Sequence, residues 1–106
     1  MPKVKVVALY RKPEDVAAFM QHYQNVHLPL VRQTPGLERL EVDRVTASAS
    51  GGEPEYFLIT GMIYPDQETF RAAVRSDANK AVMQDVQQFA GNLITVLIAE
   101  VLERAG

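Results

Sequence analysis

Two histidines, His22 and His27, are the only side chains of this 106-residue chain whose ordinary pKa values lie near neutrality. An imidazole held in a pocket can take up or release a proton at physiological pH, which is the work of a general acid or base. His27 is the better placed of the two. It stands four residues after Tyr23 in the run Phe19, Tyr23, His27, Leu28, Pro29, Leu30. Residues three and four apart share a helical face, and Val16, Phe19, Met20, Tyr23, Val26, His27 and Leu30 make such a stripe. His22 falls off the stripe and is expected at the surface. A phenol in a cleft can donate to a developing oxyanion, so Tyr10 and Tyr23 are the expected catalytic partners of His27. A structural reading stands beside the catalytic one: His27 bonds a carbonyl left free at a helix end, and the tyrosines are packing groups with one bonded tip.

Other chemistries find little in the chain. His22 and His27 are five apart and diverge on an α-helix, so they are not expected to chelate a metal together. The chain contains no cysteine, which removes a thiol nucleophile, a disulfide framework and a thiolate metal site. Glu14, Asp15, Asp66, Glu68, Asp77 and Asp85 are expected at helix caps or on solvated helix faces. Gly51-Gly52 lacks the following helix and the lysine that a phosphate cradle needs. No cofactor and no metal are therefore expected.

The bulk properties bound the partners. A hydrophobic fraction of 47% with 23% charged residues is that of an ordinary globular domain, and 106 residues make one domain, spanning 1–106. A net charge of -2, with 11 Lys and Arg scattered along the chain, offers no track for phosphates, so no nucleic acid is expected. The longest apolar stretch, near Leu93 to Ala99, is too short to span a membrane. The N-terminus lacks the pattern of a secretory signal, and a cytoplasmic location is expected.

The elements that must position these residues follow from periodicity. Lys3 to Tyr10 alternates as a strand, and Pro13 suits a first helical turn. Pro29 disfavours helical dihedrals at Leu28, so the helix should break or reform near His27. Thr34, Pro35 and Gly36 turn the chain into a second strand, Leu37 to Thr46. Ala47 to Pro54 is a small-residue tract without periodicity, expected as a mobile hairpin loop. Tyr56 to Tyr64 is a third strand, with Tyr56, Leu58, Thr60 and Met62 on one face and Phe57, Ile59, Gly61 and Ile63 on the other. Asp66 is placed to cap a helix, and Ser76 or Asp77 to cap another carrying Ala78, Val82, Val86 and Phe89 on one face. Leu93 to Glu103 is the last strand.

This order, βαββαβ, is that of a ferredoxin-like α+β fold with an antiparallel sheet. Its helices cover one sheet face, yet the third and last strands are apolar on both faces, where a one-sided sheet would alternate. A second copy of the chain is expected over the other face, forming a homodimer. One face of the last strand should then belong to the subunit core and the other to the partner.

Tyr10, Arg11, Lys12, Pro13, then Phe19, Tyr23, His27, Leu28, Pro29, Leu30, and Pro35, Gly36, Leu37 resemble the EthD family of the dimeric α+β barrel superfamily. The resemblance covers the chain in element order and is sharpest at the histidine, Leu-Pro-Leu and the Pro-Gly turn. It implies two ferredoxin-like subunits packed sheet to sheet, each with its own cleft between sheet and helices. Similar proteins include lactone isomerases, polyketide cyclases or dehydratases and cofactor-free monooxygenases, in which the histidine matching His27 often lines the cleft. Isomerase relatives bring a second histidine or a cysteine to the pocket, which this chain does not supply. The resemblance thus implies a cofactor-independent enzyme acting on a small apolar or oxygenated organic ligand. The alternative is a non-catalytic accessory or ligand-binding module with the same cleft.

Overall fold

The structure, a computed structural model, describes residues 2–105. The chain runs β1 (Val4–Tyr10), α1 (Val16–His22), a π-helical turn (Tyr23–His27), α2 (Leu28–Arg32), β2 (Arg39–Arg44), β3 (Leu58–Tyr64), α3 (Gln67–Val74), α4 (Asp77–Ala90) and β4 (Ile94–Glu100). The four strands form one sheet in the order β2-β3-β1-β4, and every neighbouring pair is antiparallel. This is the ferredoxin-like α+β arrangement that the element order implies, with strand ends trimmed by one to three residues.

Register divides the strand residues between two faces. Val4, Val6, Ala8 and Tyr10 pair with Tyr64, Met62, Thr60 and Leu58 on one side, and with Glu100, Ile98, Val96 and Ile94 on the other. This face meets the helices. Ala8, Tyr10, Phe19, Tyr23, Leu28, Leu58 and Ala90 close one core cluster, and Val4, Tyr64, Phe70 and Ala73 a second. A fully buried side chain such as Leu58 contributes about 2–3 kcal/mol. Phe57 precedes β3 instead of lying on its far face, and its ring meets Phe19 edge-on at 6.3 Å.

Caps set the helix starts. The carboxylates of Asp15 and Asp66 accept from the backbone N–H groups of Ala18 and Thr69, and the Ser76 hydroxyl accepts from Asn79 N–H. Gly36 turns the chain toward β2 with φ +77°, and a Cβ there would run into the Thr69 methyl group, so the Pro-Gly turn requires its glycine twice over. The tract expected as a hairpin loop carries neither helix nor strand, and a turn closes from Ser48 to Gly51.

Of the two outcomes expected at His27, the helix reforms through the π-turn and does not break. Leu28 keeps helical dihedrals, φ -60° and ψ -40°, despite the proline after it, and its N–H donates to the carbonyl of Tyr23, five residues back. Proline has no N–H, and its ring crowds the carbonyl four residues before it. The widened turn lies directly upstream of Pro29 and takes one extra residue into the same rotation. Its consequence is a shift of register in the stripe: Val26 turns out to solvent, while Leu28 and Val31 enter the core.

On the far face, Val7, Leu9 and Ile59 are partly exposed, whereas Ile63 is buried. The expectation that one face of the last strand belongs to the subunit core is not met: Val96 and Ile98 are 50% and 63% exposed on the helix side, and Leu97 is 54% exposed on the other. The helices stop short of this edge strand.

Candidate functional site

Between the sheet and the helices lies a cavity of about 660 Å³. Its floor is the helix-side face of the sheet, Val6, Ala8, Tyr10, Thr60, Met62, Tyr64 and Ile94. Its walls come from His27, Val31, Phe70 and the face of α4 through Val82, Met83, Val86 and Gln87. The size falls within the range of about 300–1,000 Å³ common to small-molecule sites. Among the described residues, His27 is its only titratable group other than tyrosines, and no Lys, Arg, Asp or Glu lines it.

His27 is 3% exposed, and its Nδ1–H donates to Asp85 Oδ2 at 3.0 Å. A carboxylate only accepts, so this bond places the His27 proton on Nδ1 and leaves a lone pair on Nε2. Nε2 makes no hydrogen bond among the described residues, yet no fully buried side-chain nitrogen or oxygen there lacks a partner. Nε2 therefore keeps accessible surface, and the cavity is the space that His27 lines. Burial lowers the His27 pKa, outweighing the opposing pull of Asp85, so the ring is neutral at neutral pH.

Tyr10 presents the same logic. It is 1% exposed, lines the cavity and has no side-chain hydrogen bond among the described residues, so its hydroxyl also opens on that space. Burial pushes the phenol well above its usual range, with the charges of Tyr23 and Asp85 adding to the effect. It stays protonated and able to donate.

Tyr23 sits between them, its ring 5.6 Å from that of Tyr10 and 5.7 Å from that of His27. It is wholly buried, and its hydroxyl is hydrogen-bonded to Thr60 Oγ1 rather than turned onto the cavity. Burial pushes its pKa up to about 12. Of the three residues singled out from sequence, the structure thus brings His27 and Tyr10 to the cavity wall and sets Tyr23 behind it as their spacer.

Asp85 is the residue that sequence reasoning missed. Expected on a solvated face, it is 8% exposed on the inner side of α4, and its second oxygen accepts from His22 Nε2 at 2.8 Å. His22 is likewise not a free surface residue: it is half-buried, and its ring packs 4.6 Å from that of Phe89. The π-turn explains why. Residues five apart diverge at about 100° per residue, but in a turn closed by i→i+5 bonds they come round to one side. The available signal was the place of Asp85 three residues after Val82 and four before Phe89, spacings that share a helical face with two residues assigned to the core. The imidazoles engage separate oxygens, and no group of three or more His, Asp or Glu among the described residues is arranged to hold a metal ion.

Comparison with known proteins adds a family to this geometry. The EthD domain family matches residues 11–92. The chain is similar to the crystal structure of an ethyl tert-butyl ether D (EthD) family protein from Bacillus halodurans C-125, with 43% identity, a TM-score of 0.89, and 96% of this chain and 100% of that one covered. It is 28% identical, over 91% of its length and 92% of the relative's, to an uncharacterized 11.0 kDa protein of the thcB-thcC intergenic region in Rhodococcus erythropolis. At 14% identity it shares its fold with SnoaB, a cofactor-independent oxygenase from Streptomyces nogalater, with a TM-score of 0.66 and coverage of 98% and 95%.

Proposed function

The chain belongs to the EthD domain family, and from that premise we propose that its cavity takes a small, uncharged, oxygen-bearing organic molecule and catalyses a proton transfer on it without a cofactor. The observation that carries this reading is the Asp85–His27 pair, with His27 Nε2 open on an apolar cavity. Nε2, as a neutral base, takes a proton from carbon beside a carbonyl of the ligand. The negative charge passes to the carbonyl oxygen, where the Tyr10 hydroxyl donates to it. Return of the proton from Nε2 to another atom of the ligand completes an isomerisation and restores the neutral ring. Among the described residues no charged side chain lines the cavity, which favours an uncharged ligand, since a carboxylate would be desolvated there.

Two copies of the chain are part of the same proposal. The uncovered apolar sheet face through Val7, Leu9, Ile59 and Leu97, together with exposed β4, supports a homodimer in which a second sheet faces the first.

Proton transfer is tested with benzofuran-2-one, a neutral aryl lactone with exchangeable ring protons, by following its exchange in deuterated water by NMR. The protein should accelerate exchange, and His27→Gln and Tyr10→Phe should each lose roughly 10²-fold or more of that acceleration. Binding of the lactone with no acceleration by the wild type would replace this reading with that of a non-catalytic accessory module.

A further inference from the structure

We propose that His22 is a positioning residue for His27, acting through Asp85; this rests on the reading of His27 as the proton-transfer group. Asp85 Oδ2 accepts from His27 Nδ1–H at 3.0 Å, and Oδ1 accepts from His22 Nε2–H at 2.8 Å. An aspartate carboxylate turns easily about its last torsion, where the energy wells are broad. One donor leaves that rotation free, whereas two donors on opposite oxygens hold the plane. No Lys or Arg forms an ion pair with Asp85 among the described residues, so the two imidazoles are its side-chain hydrogen-bond partners there. The Phe89 ring lies against both, 4.6 Å from His22 and 5.0 Å from His27, which sets the ring planes that the carboxylate must match.

The arrangement requires opposite tautomers from two neighbouring histidines. His27 must carry its proton on Nδ1, leaving Nε2 to the cavity, while His22 must carry a proton on Nε2. His22 reaches the carboxylate from the solvent side, with 34% of its side chain exposed. The outermost donor therefore determines which oxygen remains for the innermost one. The cavity that His27 lines is shared by Tyr10 from β1, Thr60 and Tyr64 from β3, and Asn79 and Gln87 from α4; Tyr23, on its own helix, is bonded to Thr60.

Histidine tautomers are read from ring ¹⁵N shifts in labelled protein, with no ligand required. In the wild type at neutral pH, His27 should be a single Nδ1–H species and His22 an Nε2–H species. His22→Leu should cost His27 that single-tautomer signature, and His22→Gln, whose amide can donate to Oδ1, should restore it. An Nδ1–H tautomer at wild-type His22 would overturn the proposal without any mutation. So would a His27 tautomer unmoved by His22→Leu in a protein whose remaining amide spectrum is native. Asp85→Asn separates this failure from a deeper one. If Asp85→Asn shifts the His27 tautomer and His22→Leu does not, only the role of His22 falls; if neither does, the Asp85–His27 pair fails with it.

Discussion

A neutral imidazole held 3% exposed in a folded chain ties stability to pH in one direction. Burial lowers the His27 pKa below its ordinary value of about 6.5, so between the two values the unfolded chain binds a proton that the folded one does not. Stability contributed by His27 is therefore complete above about pH 6.5 and declines as pH falls, until the folded imidazole itself titrates. Urea unfolding at pH 7.5, 6.0 and 5.0 should show this decline in the wild type. In His27→Gln the dependence should be flatter, by up to about 1.4 kcal/mol per pH unit, the slope of one proton. Equal slopes in the two proteins would mean that His27 charges freely in the fold. By the same sign, the acid limb of any proton-transfer activity should lie below pH 6.5, where Nε2 loses its lone pair.

At the scale of elements, the site depends on two helices holding each other in register. The π-turn before Pro29 delivers two histidines to one side, and α4 supplies the carboxylate between them. The entry of α4 is fixed by Ser76, whose hydroxyl accepts from Asn79 N–H at 3.1 Å and donates to the Ala73 carbonyl at 2.6 Å. Ser76→Ala should lower stability by about 1 kcal/mol and the melting temperature by roughly 4–8 °C, measured by thermal unfolding. A cap lies nine residues from Asp85, so the fold and the His27 tautomer should survive the change. Loss of both would show that the first turn of α4 is coupled to the site.

For the whole molecule, the open question of packing lies along β4. A lone subunit exposes Val96, Leu97 and Ile98 by half or more, and these side chains point to both faces of the sheet. Leu97 belongs to the helix-free face, so Leu97→Asp should yield a folded monomer where the wild type sediments as a dimer at micromolar concentration. Val96 and Ile98 line the open side of the cavity instead. Charge there should leave the subunit folded and weaken binding of a neutral ligand. A well-folded wild-type monomer would remove the homodimer.

The order of strands and helices, the cap at Asp66, a further cap at Ser76 or Asp77, the Pro-Gly turn and the inward aim of His27 were all legible in the chain. Each depends on residues within one turn or one alternation, where local sterics and hydrogen bonding decide. The π-turn and the Asp85 bridge were not. A spacing of 100° per residue makes His22 and His27 diverge, and only the extra residue accommodated before Pro29 brings them together. Nothing local marks Asp85 for burial; it is buried because α4 crosses that widened turn and offers a carboxylate to two N–H donors from another helix. Sequence thus marked the residues whose side chains suit proton exchange, while tertiary packing decided which of them line the cavity and what His27 Nδ1 is bonded to.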